Sequence, residues 1–357
     1  MENPIWHNIH PQFKLNGTSY HLEDLKEIGY SLVKEGDPFE LSLGDFILDW
    51  TSEKPTLEVF TSGSTGKPKK IALLKEHMVN SAKATGAYFG LAPNHTALLC
   101  LPCSGIAGKM MLVRAMVLGL QLDYVEPSST PLSTNEKAYD FVAMVPLQVQ
   151  SSLEHLDRIK IVIIGGAPVD ITLRSKLKNL PTQCYETYGM TETITHIAVK
   201  RMGDGSIDYF ETLPNVTISV DARDCLVINA PKVLNDQIVT NDVVELAGEN
   251  QFKWLGRYDS IINSGGVKLI PEQIEKKLSS IINSRFFVAG LPDAVLGQQL
   301  VLVIEESQVD SEVLLSKIKK VKGLHKYEVP KKVVALKPFI ETKTGKIHRK
   351  KIMEQIR

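Results

Sequence analysis

Two rhythms of apolar residues alternate along the chain. Short apolar runs such as LEVF (57–60), FVAMV (141–145) and KIVII (160–164) predict buried strands. Between them, KEHMVNSAKATGAYFG (75–90) and ITLRSKLKNL (171–180) carry apolar residues at a 3.6-residue period and predict helices. Such alternation predicts an α/β architecture with substantial parallel sheet. The segment ISVDARDCLVINAP (218–231) departs from it, with two short alternating runs around a polar turn, the pattern of a hairpin. After residue 258 the pattern changes again. IPEQIEKKLSSII predicts an amphipathic helix with Pro271 in its first turn and Ile274, Leu278 and Ile281 on one face. FFVAG (286–290), LVLVIEE (300–306) and KKVVALK (331–337) predict strands, and SEVLLSKIKKVK (311–322) a second helix. A boundary at Tyr258–Asp259 follows: a large α/β domain over 1–258 and a small α+β domain over 259–357. No internal repeat interrupts this plan.

The 357 residues are 43% apolar and 23% charged, an ordinary globular composition. Forty-one basic residues balance 41 acidic ones, so charge gives no reason to expect nucleic acid or an anionic membrane as partner. No apolar run approaches the roughly 20 residues that cross a bilayer, and MENPIWHNIHPQFKLNG lacks the basic and apolar regions of a secretory signal. Cys100, Cys103, Cys184 and Cys225 are too few and too scattered for a disulfide framework. The pair in CLPC has no second Cys or His pair at zinc-ligand spacing, so packing is its expected role. These features predict a cytoplasmic protein.

The most informative stretch is FTSGSTGKPKK (60–70), directly after LEVF. Gly63 and Gly66 permit tight turns and close approach of a ligand. Thr61, Ser62, Ser64 and Thr65 supply hydroxyls, the backbone N–H groups form anion nests, and Lys67, Lys69 and Lys70 supply positive charge. Together these suit a polyphosphate. It is not a Walker A loop, because Lys67 is followed by Pro68 and only two residues separate the glycines.

With YGMTET (188–193), TND (240–242), GRYDSIINSGG (256–266), GLPDAVLGQ (290–298), LHKYEVPKK (324–332) and KTGKIHRKK (343–351), this loop resembles the signature of the adenylate-forming superfamily. That superfamily comprises acyl-CoA synthetases, adenylation domains and luciferases. The matches keep the family's order from about residue 57 onward, and the part before the loop is short, at the compact end of the group. The resemblance implies a large adenylate-forming domain with mixed and parallel sheets, and a small mobile C-terminal domain. It also implies ATP, Mg²⁺ and coenzyme A, with a small carboxylic acid as substrate and a homodimer as a compatible assembly.

The resemblance assigns roles residue by residue. Glu192 is the Mg²⁺ carboxylate, Thr191 bonds the α-phosphate, and Tyr188 stacks on adenine, with Gly166, Ala167 and Pro168 of GGAP (165–168) as the other wall. Asp242 and Arg257 sit at the ribose; the family's usual glycine between Thr and Asp is Asn241 here, which tolerates a left-handed turn. Lys346 is the principal catalytic group of adenylation, Asp259 is the hinge, and Gly265 and Gly266 let the pantetheine arm of CoA pass. Within the superfamily the chain is most similar to o-succinylbenzoate–CoA ligases of menaquinone biosynthesis. There PCSGIAGKMMLVRAMVLG (102–119) lines the acid pocket. Gly105 and Gly108 would leave room for a ring, and Lys109 or Arg114 would neutralise a second carboxylate, unless either only caps the helix or snorkels. His196 would orient the substrate, or simply pack. The alternatives are a ligase for another aryl or medium-chain acid, a non-catalytic nucleotide-binding module and a kinase. Retention of Glu192, Asp242, Arg257 and Lys346 argues against the second of these, and the missing Walker pair against the third.

Overall fold

Six parallel strands run through the first part of the chain, in the spatial order Lys14–Leu15, Gln121–Tyr124, Thr96–Leu99, Tyr139–Met144, Ile159–Ile164 and Gln183–Gly189. The computed structural model describes residues 4–61, 69–133, 136–203, 208–341 and 347–356. It divides into two compact units. One comprises Met1–Ile218, Ile228–Ile238 and Ala247–Phe252; the other comprises Ser219–Val227, Val239–Leu246 and Lys253–Arg357. All of 259–357 therefore lies in the second unit.

In the first unit the central parallel strands are apolar, as strands buried on both faces are: Ile159–Ile164 buries every residue except Lys160. Beyond Gln183–Gly189 the sheet turns antiparallel through His196–Met202 and Phe210–Thr212. LEVF departs from the expectation of full burial. Among the described residues its strand Thr56–Thr61 pairs only with Lys69–Leu74, in a two-stranded antiparallel hairpin. Leu57 and Val59 are buried while Phe60 is 69% exposed, because one face of such a hairpin meets solvent. Thr61 pairs with Lys69 across it, and the residues between, Ser62 to Pro68, lie outside the described residues. The predicted helices at 75–90 and 171–180 form as Lys75–Phe89 and Ile171–Leu177. Two helices not singled out in the sequence, Leu22–Glu35 and Leu41–Thr51, precede the hairpin.

Lys75, at the base of that hairpin, is wholly buried. Its Nζ donates to Trp50 O (3.1 Å), Ser52 O (2.8 Å) and Ser52 Oγ (3.2 Å), closing the C-terminus of Leu41–Thr51 with a positive group. Burial lowers its pKa to about 8, against the opposing pull of Asp49 and Glu53. Above pH 8 the folded chain releases this proton while the unfolded chain keeps it until its ordinary value near 10.5. The contribution of Lys75 to stability therefore rises with pH across that window, by up to about 3 kcal/mol. Urea midpoints at pH 7 and pH 9.5 should differ in this direction relative to Lys75→Met. An equal pH response in the two proteins would show that Lys75 keeps an ordinary pKa.

The second unit contains a five-stranded sheet. Val267–Leu269, Ile262–Ser264, Gly297–Ile304 and Phe286–Asp293 lie in that order, and Lys332–Ala335 pairs parallel to Gly297–Ile304. Segment 218–231 forms the expected strands, Thr217–Val220 and Cys225–Asn229. The helix Pro271–Leu278 buries Ile274 and Leu278, with Pro271 at its first turn. Ile281 does not share that face. The helix ends at Leu278, so Ile281 is 37% exposed and Ile282 enters the core instead. Ser311–Ile318 is capped by the Asp310 carboxylate, and Arg349–Ile356 anchors through buried Ile352. Among the described residues no helix is long and apolar enough to cross a membrane.

Candidate active site

Three predicted motifs of the first unit follow the carboxyl ends of parallel strands: CLPCSG after Thr96–Leu99, GGAP after Ile159–Ile164, and YGMTET at the end of Gln183–Gly189. That edge is where open α/β sheets bind ligands, since the loops there fan out from a rigid base. Ile164 pairs with Glu186, so the GGAP turn and Tyr188 leave neighbouring strands side by side. Tyr188 packs edge-on against Phe252, 5.1 Å between centroids, and tilted against Phe210. Gly166 turns with φ 81°, and Ala167 and Pro168 are exposed.

Glu186, not singled out in the sequence, braces these two walls. Its Oε1 accepts the Val169 N–H (3.3 Å) just after GGAP, and its Oε2 meets Arg174 Nη2 (2.6 Å) and Lys200 Nζ (3.0 Å). Burial would raise its pKa, but Lys200 and Arg174 outweigh burial and hold it below the usual carboxylate range. The available signal was weak: Glu186 shares a face with Cys184, two residues away in the strand QCYETYG.

Thr191 and Glu192 sit on a short 3₁₀ turn, Thr191–Thr193, with Glu192 exposed. Among the described residues no cluster of three or more metal-ligating side chains exists. A single exposed carboxylate nonetheless fits Mg²⁺, which takes one or two carboxylates alongside phosphate oxygens and water.

The helix Ile106–Leu118 sends its two cations to different neighbours. Lys109 Nζ lies 4.7 Å over the Phe46 ring; burial lowers its pKa, while Cys103, Asp49 and Asp45 oppose. Arg114 is 1% exposed and does not snorkel. Its Nη1 reaches only Met111 Sδ (3.7 Å), and its Nε and Nη2 are buried without hydrogen-bond partners. Among the described residues no carboxylate pairs with it, and burial pushes its pKa down to about 9. His196 is near enough for Arg114 to act on it. Burial first, then that cation, hold its pKa well below the ordinary value, so the ring is neutral. Its Nε2 faces Thr85 Oγ1 at 3.4 Å. The space above Gly108 is filled by the Pro102 carbonyl, 2.4 Å from where a Cβ would sit, so this glycine serves helix packing and not a ring; Gly105, the N-cap, is more open. Cys100 and Cys103 are buried thiols pushed up to about 12, as packing residues are.

In the second unit, Asp242 accepts from Trp254 Nε1 (3.1 Å), and Arg257 Nη1 lies 3.7 Å from its Oδ1. The left-handed turn expected at Asn241 is absent. TND lies within the strand Ile238–Leu246, and Asn241 Oδ1 accepts from Arg223 (2.9 Å), because strand pairing keeps this stretch extended. Arg257 grips Asp259 through two bonds of 3.0 Å, which with that cation hold the Asp259 carboxyl below its usual range against burial. Gly265 and Gly266, with φ of 59° and 81°, form the two-residue turn between Ile262–Ser264 and Val267–Leu269. Lys346 lies outside the described residues.

A family model described as AMP-binding enzyme matches residues 32–231, more than half of the chain. The chain belongs to the AMP-binding enzyme family. A solved acyl-CoA synthetase (AMP-forming)/AMP-acid ligase II-like protein from Dyadobacter fermentans is 37% identical, with 93% of this chain and 98% of that one covered and a TM-score of 0.63. The o-succinylbenzoate coenzyme A synthetase of Bacillus subtilis, solved with ATP and magnesium ion, has a TM-score of 0.70 at 19% identity, covering 92% and 82%. The 2-succinylbenzoate–CoA ligase of Listeria monocytogenes is 24% identical, covering 92% of this chain and 75% of the relative. The chain is thus an AMP-binding enzyme with the fold expected from its motifs, and ATP and Mg²⁺, also expected from them, are what the Bacillus subtilis synthetase was solved with.

Proposed function

We propose that this AMP-binding enzyme is an ATP-dependent ligase for a dicarboxylic acid, converting o-succinylbenzoate to its CoA thioester in menaquinone biosynthesis, in the cytoplasm. The observation that carries this reading is Arg114. A wholly buried guanidinium with two unpartnered nitrogens is costly unless an anion meets it. The reacting carboxylate must face ATP, so a second carboxylate on the acid is the natural partner. Neutral His196 nearby can share a hydrogen bond without adding charge. The succinylbenzoate ligases among the curated relatives support the same choice.

In the first step the acid carboxylate oxygen attacks the α-phosphorus of ATP, the α–β phosphoanhydride bond breaks, and pyrophosphate leaves. The phosphate loop, with Thr61, Ser62, Gly63, Ser64, Thr65, Gly66 and Lys69, cradles the polyphosphate. Tyr188 and residues 166–168 clasp adenine, Asp242 and Arg257 hold the ribose, and Thr191 bonds the α-phosphate. Glu192 would hold Mg²⁺, whose charge offsets that of the phosphates. Lys346 stabilises the developing negative charge. In the second step the CoA sulfur attacks the acyl carbon and AMP leaves, with Asp259 as pivot and Gly265–Gly266 beside the pantetheine arm.

Pyrophosphate release should be measured with ATP, Mg²⁺ and o-succinylbenzoate, benzoate or octanoate, with and without CoA. Release with o-succinylbenzoate alone, together with AMP and a thioester, is expected. Activity only on benzoate or octanoate would keep the chemistry and overturn the substrate.

A further inference from the structure

The chain makes an unusual turn immediately after Glu192. Ile194, a buried β-branched residue, has φ 66° and ψ −58°, and the Thr195 N–H donates to Thr193 O at 2.7 Å. These are the dihedrals and the hydrogen bond of a γ-turn of the strained hand, which a side chain branched at Cβ adopts only when its surroundings force it. Two features force it here. From below, Gly189 lets the turn lie against the strand end: a Cβ there would stand 2.3 Å from Thr195 O and 2.5 Å from His196 Cα. From within, the Thr193 hydroxyl ties both sides together. It accepts the Met190 N–H at 3.0 Å, and its proton faces Met190 O at 2.9 Å and Thr195 O at 2.7 Å. Thr193 is completely buried. The clamp therefore brackets Thr191 and Glu192 between fixed points at Met190 and Thr195. Past the turn, His196 re-enters the core, which leaves Glu192 little freedom of backbone direction.

We propose that Thr193 is a positioning residue for the metal–nucleotide carboxylate: its buried hydroxyl, with Gly189, locks the strained turn at Ile194 that aims Glu192 at a nucleotide-bound divalent cation. The inference rests on the reading of Glu192 as that carboxylate, so its test includes Glu192 itself. A threonine that only satisfied its own turn would affect stability without changing what a metal ion does for nucleotide binding.

The test is the affinity for ATP, by titration calorimetry without an acid substrate, in EDTA and in Mg²⁺. The gain on adding Mg²⁺ is the quantity read. It should shrink about tenfold in Thr193→Val, which keeps the shape and leaves the Met190 N–H and Thr195 O without their partner. Thr193→Ser should keep it and Glu192→Gln should abolish it, while affinity in EDTA should be unchanged in the two Thr193 variants. If Thr193→Val gives no cooperative melting transition, Gly189→Ala decides. It displaces the turn with the hydroxyl intact and should lose the gain as well. A full Mg²⁺ gain in Thr193→Val or in Gly189→Ala, beside a lost one in Glu192→Gln, overturns the proposal and spares the reading of Glu192. A full gain in Glu192→Gln overturns both.

Discussion

Replacing Lys346 by alanine is expected to cut pyrophosphate release about 10²–10³-fold, the usual cost of removing one preorganised group that meets charge developing in a transition state. Transfer of an acyl group from supplied acyl-adenylate to CoA should fall much less, because the lysine's proposed work ends when pyrophosphate leaves. Lys346 itself lies outside the described residues, but the chain on either side is firmly tied. Glu341 and Ile347 form an antiparallel bridge, and His348 N donates to Ile340 O at 2.7 Å. Arg285 pairs with both Glu341 and Glu305, and Glu305 accepts the Phe339 N–H. Arg349 grips Glu275 through bonds of 2.8 and 2.9 Å. Single-turnover measurements of the two half-reactions check the claim. Equal losses in both would assign Lys346 a general role, and retention of pyrophosphate release would remove it from the chemistry.

Replacing Arg114 by methionine should have effects of opposite sign on stability and on activity. The free protein should gain about 1–3 kcal/mol, since an unpaired buried cation gives way to an apolar side chain of similar length. Turnover of o-succinylbenzoate should fall at least ~30-fold in kcat/KM, because a buried charge pair typically contributes 2–5 kcal/mol when one partner is truncated. Any residual activity on benzoate, which has no second carboxylate, should be untouched. Arg114→Lys should fall between, a point charge replacing a planar fork. Melting curves beside kinetics on the two acids are decisive. A destabilised variant with equal losses on both acids would make Arg114 a structural residue.

Much of the first unit was legible because its motifs are contiguous and follow strands. KIVII predicts a strand on its own, and GGAP after it predicts a turn whatever the rest of the chain does. The failures lie where packing or helix termination decides. LEVF has the apolar content of a buried strand, yet it pairs in an antiparallel hairpin that turns Phe60 to solvent. Ile281 keeps the helical period in sequence, but the helix stops at Leu278 and the phase is lost. Asn241 tolerates a left-handed turn, but pairing holds it extended.

The candidate site divides along the same line. The sequence by itself determined the available chemistry: the order of YGMTET, TND and GKI, and the single carboxylate Glu192 at its spacing from Tyr188. These are properties of adjacent residues, which chain connectivity fixes before any tertiary contact forms. Only the tertiary structure decided that Arg114, unlike Lys109, has two buried nitrogens without a partner among the described residues, and that Glu186 braces two walls. It also decided that Thr193 clamps a strained turn, because the burial and Gly189 contact that hold that turn exist only once the surrounding chain has packed.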